Sequence, residues 1–162
     1  MIRRTFAVCA ILASMPIAAL AQAVKGEAQV LGADDLAVGG IRFQLWGIDA
    51  PEPIQPCFID GVAWECGTAA ARKLAEISAL GPLACVRRED PDRTRRAFRY
   101  ATCVNGQGKD VAEEMVRAGM AYAYRPQAMD YAAAEDAARA AKIGIWRGVS
   151  QAPWEWRDLQ RN

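Results

Sequence analysis

The chain has 162 residues, 20 Lys or Arg against 19 Asp or Glu, five cysteines and no histidine. Without histidine, Ser-His-Asp and Cys-His nucleophiles, histidine zinc sites and imidazole acid–base catalysis are excluded, which leaves carboxylate, arginine, tyrosine and hard-metal chemistry. A formal charge of +1 excludes recognition of a polyanion through bulk charge, so any nucleic-acid site must rest on local patches.

Residues 1–23 read as a targeting signal, with Arg3 and Arg4, an apolar run from Phe6 to Leu20, and Ala21-Gln22-Ala23 as a small-x-small cleavage site. The run is too short and too rich in alanine for a good membrane span. Cleavage leaves residues 24–162, which suits one domain with a single core, 18 basic side chains facing 19 acidic ones. The expected location is therefore the periplasm or the medium. Cys9 departs with the signal, and Cys57, Cys66, Cys85 and Cys103 remain. In an exported chain these predict two disulfides, for which three pairings exist. Cys57–Cys66 with Cys85–Cys103 is preferred. The first closes a short loop, and the second places its cysteines equidistant from Thr94 in a polar turn, as a cross-strand bridge requires.

In chain order, Val30, Leu36 and Val38 fall on one alternating face of a first strand, whose phase Asp34 interrupts. Gly39-Gly40 supplies a turn, Ile41, Phe43 and Leu45 alternate along a second strand, and Asp49 ends it before Pro51. The stretch Ala69 to Leu80 is predicted helical. Strands at Leu83–Arg88 and Arg96–Val104 flank the polar connection Glu89–Arg95. Asp110-Val111-Ala112-Glu113 resembles a capping box that starts a helix through Ala118, closed by Gly119. A last helix is expected from about Asp130 to Ile143, closed by Gly144, and Pro153 discourages further helix in the tail bearing Trp146, Trp154 and Trp156. Short antiparallel strands with helices between and after them predict an α+β chain, a small β-barrel with helices packed outside.

Three groups of residues could carry chemistry. Adjacent strands can bring Asp34 and Asp49 together, and two close carboxylates repel unless a proton or cation intervenes, for which a hard ion such as Ca2+ is the economical choice. The plainer alternative is a turn aspartate, a strand-end cap and an exposed Glu52. Arg87, Arg88, Arg93, Arg95, Arg96 and Arg99 crowd a short stretch. They suit phosphate, though interleaved acids would also make a solvated hairpin tip. Tyr122 and Tyr124, two apart on an extended segment, face one side, where they could flank a base or simply pack.

Taken together, these pieces resemble the thermonuclease-like (staphylococcal nuclease) family. The resemblance spans Gly26 to Arg157 in one unbroken order. It is carried by Leu-Trp-Gly-Ile-Asp-Ala-Pro-Glu at 45–52, the Asp92…Arg96 spacing, Met115-Val116-Arg117-Ala118-Gly119 before Ala-Tyr-Ala-Tyr, and Gly-Ile-Trp-Arg-Gly…Pro-Trp-Glu-Trp-Arg. The positions of the four cysteines also look like those of its secreted bacterial members. The resemblance implies an OB-fold, a five-stranded barrel with about three helices. It further implies a Ca2+-dependent endonuclease hydrolysing phosphodiesters of DNA or RNA, single strands favoured, acting as a monomer. Asp34, Asp49 and the backbone carbonyl of Ala50 would hold Ca2+. Glu52 would orient or deprotonate water, Arg96 would bind the phosphate, and Arg93, Arg95, Tyr122 and Tyr124 would line the substrate site. Where the family has a second arginine, this chain has Gln44, with Arg42 or Arg95 as the candidate substitute. Thr94 and Arg95 replace an aromatic residue and a glycine of the family's pattern, and Gly-Ala-Asp-Asp at 32–35 replaces Asp-Gly-Asp-Thr. A catalytically silent module that binds nucleic acid, polysaccharide or protein is the alternative.

Overall fold

A computed structural model describes residues 22–90 and 99–161. The expected signal up to Ala21 and the arginines Arg93, Arg95 and Arg96 lie outside the described residues.

Alternating apolar side chains build one six-stranded sheet. Its members are β1 (Val24–Gly26), β2 (Ala28–Val30), β3 (Asp35–Val38), β4 (Ile41–Leu45), β8 (Leu83–Arg88) and β9 (Tyr100–Val104). They lie in the order β1-β8-β9-β4-β3-β2, antiparallel except for the parallel pair β4–β9. Only Glu27 separates β1 from β2, yet these strands occupy opposite ends of that order. The sheet must therefore curl back on itself, which is the barrel of an OB-fold. Leu36, Val38, Phe43, Leu45, Leu83 and Ala101 point inward and are buried.

The first strand departs from expectation, because it is two strands rather than one. The amides of Leu31 and Gly32 both donate to the Asp35 carbonyl, at 2.8 and 3.0 Å, and close a tight turn over 31–34. Glycine and aspartate chemistry there outweighs the apolar alternation. Val30 and Leu36 still share a face, now as register partners across the hairpin. The second strand stops at Leu45, and Asp49 belongs instead to β5 (Ile48–Asp49), beyond a turn in which Gly47 takes φ +74°. β5 pairs with β10 (Tyr122–Ala123), Tyr122 opposite Asp49. An unforeseen hairpin, β6 (Cys57–Ile59) and β7 (Val62–Trp64), turns at Asp60-Gly61, a dipeptide suited to positive φ.

Among the described residues, four α-helices and a 3-10 turn surround the barrel, one helix more than expected. Helix α1 (Cys66–Ser78) starts three residues before the expected Ala69. Helix α2 (Val111–Arg117) is capped by Asp110, whose Oδ1 accepts from the amides of Ala112 and Glu113 at 2.8 and 3.2 Å. Helix α3 spans Ala132–Ala140, three residues short of the expected Ile143, and Lys142 (φ +50°) takes a left-handed position after it ahead of Gly144 (φ +58°). Gly144 instead opens the 3-10 turn Gly144–Arg147, where a Cβ would meet the Gly119 carbonyl at 2.0 Å. Helix α4 (Pro153–Arg161) is the main correction. Pro153 begins this helix rather than preventing one, because a first-turn position needs no N–H and its φ is already helical.

Both preferred disulfides are present: Cys57–Cys66, with Cα atoms 5.8 Å apart, and Cys85–Cys103, a directly opposed pair on β8 and β9 at 4.0 Å. Among the described residues, no helix is long and apolar enough to cross a membrane. Helix α1 packs so tightly on the chain leaving β5 that a Cβ on Gly67 would lie 2.1 Å from the Glu52 carbonyl oxygen. We expect Gly67→Ala to cost about 1–3 kcal/mol and to displace the Glu52 segment. Thermal unfolding measures the first effect, and a melting temperature equal to wild type would refute it.

Candidate active site

The hairpin turn between β2 and β3 delivers Asp34, and the β5 ribbon delivers Asp49. The Leu45 amide donates to the Asp34 carbonyl at 2.8 Å, and the Ala50 amide donates to Asp34 Oδ2 at 3.3 Å. These contacts stitch the turn to the segment that carries Asp49. Glu52 follows on the loop that Pro51 opens. Its amide donates to Gln55 Oε1 at 3.2 Å, and Gln55 Nε2 donates to the Gln151 carbonyl at 2.7 Å. Gln55, almost wholly buried, thus ties the Glu52 loop to the segment leading into α4.

Three carboxylates converge in consequence. Burial, reinforced by the neighbouring charge of Asp49, pushes the Asp34 carboxyl up to about 7, against the lowering effect of the Ala50 amide and Gln44. Glu52 adds a smaller push in the same upward direction. Arg157 on α4 supplies the balancing charge. Its Nη1 and Nη2 donate to the two carboxylate oxygens of Asp49 at 3.1 and 2.6 Å, and Nη1 also donates to Glu52 Oε1 at 2.7 Å. Bonding to Asp49, against the opposing effect of burial, raises the Arg157 guanidinium further and keeps it charged.

Asp34, Gln44, Asp49, Glu52, Tyr124 and Arg157 border an open cleft of about 640 Å³, within the range of small-ligand pockets. Gln44, opposite Asp35 in the β3–β4 register, turns its Nε2 toward Asp34 Oδ2 at 3.5 Å, and its buried Oε1 has no hydrogen-bond partner among the described residues. Arg42 reaches the rim of this cleft, but its Nε donates to both Asp35 oxygens at 3.0 and 2.8 Å and its side chain is 70% exposed. The two tyrosines divide. Trp154 meets both rings, at centroid distances of 5.7 Å for Tyr122 and 5.3 Å for Tyr124. Tyr124 borders the cleft, whereas Tyr122 is buried, its hydroxyl 2.6 Å from Ser150 Oγ.

A hard cation fits the donor chemistry. Asp34, Asp49 and the Gln44 oxygen are all oxygen donors, and their crowding shows in the raised Asp34 carboxyl and in the guanidinium drawn to Asp49. Their present arrangement is not a cage: among the described residues no three His, Cys, Asp or Glu side chains gather as metal ligands. Asp49 and Glu52 turn to Arg157 instead.

Sequence reasoning missed three residues that shape the site. Arg157 lay within the Pro-Trp-Glu-Trp-Arg tail without a role, because Pro153 was read as ending helix. Gln55 carries no motif. Gln127 accepts from the Gly47 amide at 2.7 Å and donates to Asp90 Oδ2 at 2.7 Å, bracing the turn before β5. For Gln127, and for the Gln55 link to Gln151, nothing in the local pattern signals the contact, since each acts across the fold.

This barrel, with its acidic cleft at one mouth, belongs to the staphylococcal nuclease homologue family, whose family model matches residues 42–148. The succinoglycan biosynthesis protein ExoI of Rhizobium meliloti (strain 1021) is a relative, 34% identical over 144 residues that cover 87% of this chain and 74% of ExoI.

The raised Asp34 group carries a pH consequence for the metal-free protein. The folded state holds a proton from about pH 4 to about 7 that the unfolded chain has already released. The Asp34 contribution to stability is therefore full below about pH 4 and is lost as pH rises through about 7. In chelator, Asp34→Asn should remove this loss. Denaturation of both proteins between pH 4 and 8 tests the sign, and a stability difference that does not change with pH would overturn it.

Proposed function

We propose that this chain is a Ca2+-dependent nuclease hydrolysing phosphodiesters of DNA or RNA, with single-stranded regions favoured as substrate. The observation that carries this reading is the convergence of Asp34, Asp49 and Glu52 on one cleft bordered by Tyr124. Asp34, Asp49 and the Ala50 carbonyl are the oxygens that would hold the cation. When bound, a divalent cation polarises the phosphoryl oxygens and lowers the pKa of a coordinated water. Glu52, on the loop held by Gln55, orients the attacking water and accepts its proton. Tyr124, against Trp154, offers a ring face for a base or sugar. Arg96, with Arg93 and Arg95 beside it in sequence, is assigned to the phosphate. The two disulfides favour an oxidising compartment, in keeping with residues 1–23 acting as an export signal on a monomeric protein.

Two observations favour a second reading, a binding module without catalysis. Gln44 is a neutral amide where the resemblance calls for an arginine, and a lost charge-stabilising donor typically costs about 10²–10³ in rate. The relative's involvement in succinoglycan biosynthesis suggests a polysaccharide as the ligand in that case.

The discriminating assay incubates the purified protein with heat-denatured DNA, in Ca2+ or in chelator. Cleavage that needs Ca2+, falls by at least about 10³-fold in Glu52→Gln and rises in Gln44→Arg is the expected result. Cleavage unaffected by Glu52→Gln would sink the assignment of the base. Binding without cleavage in every variant would establish the module.

A further inference from the structure

We propose that Arg157 is the second phosphate-binding arginine of this cleft, held on Asp49 and Glu52 until a cation takes those carboxylates. The inference rests on the nuclease reading and names the residue that supplies the charge Gln44 lacks.

Among the described residues, three guanidinium groups reach the cleft: Arg42, Arg157 and Arg161. Arg42 is bound to Asp35 and Arg161 to Asp158, both on well-exposed side chains. Arg157 lies deeper, at 36% exposure, and bridges the two acids to which a cation ligand and a water-activating base are assigned. Its Nη1 stands 2.7 Å from Glu52 Oε1. A phosphate whose attacking water is oriented by Glu52 must come within a side chain's reach of this guanidinium.

The exchange follows from charge. A divalent cation at Asp49 competes for the same two oxygens and repels the guanidinium already there. The freed fork then finds in a phosphate the planar, bidentate partner that it had in the carboxylate. No movement of the helix is required. The start of α4 is fixed by buried Pro153, by Trp154 against Tyr122 and Tyr124, and by the Gln55 link to Gln151. Arginine has enough rotatable bonds to swing while its Cα stays in place.

Calorimetry on wild type, Arg157→Gln and Arg157→Lys tests the exchange with Ca2+ first. A cleavage-resistant single-stranded DNA hexamer with phosphorothioate linkages is then added in saturating Ca2+. Loss of the internal competitor should tighten Ca2+ binding by about tenfold or more in Arg157→Gln, and loss of a charged hydrogen bond should weaken hexamer binding by about tenfold or more. Arg157→Lys, which keeps charge without the fork, should fall between. Melting in chelator should be lower for Arg157→Gln than for wild type, with a larger recovery on adding Ca2+. Arg117→Gln, at a side chain that pairs with Glu113 away from the cleft, should leave both affinities at wild-type values.

Ca2+ affinity unchanged or weakened in Arg157→Gln would overturn the exchange while leaving the nuclease reading intact. Unchanged hexamer affinity would overturn the phosphate role in the same way. If neither protein bound Ca2+, the nuclease reading would fall and take the inference with it.

Discussion

Three carboxylates in one cleft are an electrostatic problem that the surrounding fold is arranged to solve. Burial and the charge of Asp49 leave Asp34 holding its proton far above the usual carboxylate range, and a guanidinium covers Asp49 and Glu52. Removing that guanidinium would take its bidentate ion pair from Asp49, the buried member of the set, while Glu52 stays beside it, and an uncompensated buried charge is costly. The requirement for a cation, whether supplied by the chain or from outside, thus explains why the last helix crosses the mouth of the barrel. It also explains why a neutral Gln44 is tolerated beside Asp34, since its amide can donate one hydrogen bond while adding no charge to the balance.

The scaffold holds these groups through close backbone contacts more than through apolar bulk. Strands β1 and β2, one residue apart, belong to opposite ends of the sheet and so bend the whole of it into a barrel. At the mouth, Gly67 lets α1 lie directly on the Glu52 carbonyl, and Gln55 and Gln127 brace the two loops on either side of β5. Both amide side chains act as local substitutes for strand pairing, satisfying backbone groups that a two-residue ribbon leaves open. The backbone that carries Asp49 and Glu52 is thus held by contacts on both sides of β5.

Much of this was legible in the sequence where the signal is local. The alternation Ile41, Phe43, Leu45, the Asp110 cap and the symmetry of Cys85 and Cys103 about Thr94 each depend on near neighbours, and each corresponds to an observed element or contact. The first strand was misread because Gly32-Ala33-Asp34 carries turn chemistry inside a pattern whose apolar spacing happens to continue across it. Pro153 was misread because proline has opposite meanings at the first turn of a helix and in its interior, and only the residues after it decide between them. The acidic half of the site came from a contiguous motif for Asp49 and Glu52 and from a break in strand phase for Asp34. Its cationic counterpart, Arg157, is set by a contact between distant parts of the chain, which no window of sequence reveals.

That distance has its own consequence. The Arg157 pairs join residues 108 and 105 positions apart, so closing them carries the entropy of a loop that includes most of the barrel. Local hairpins and helices can form before that closure, whereas the guanidinium reaches Asp49 only after both ends of the fold are in place. A chain truncated before Arg157 would lack the guanidinium that covers Asp49 and Glu52, and its acidic mouth would stay open.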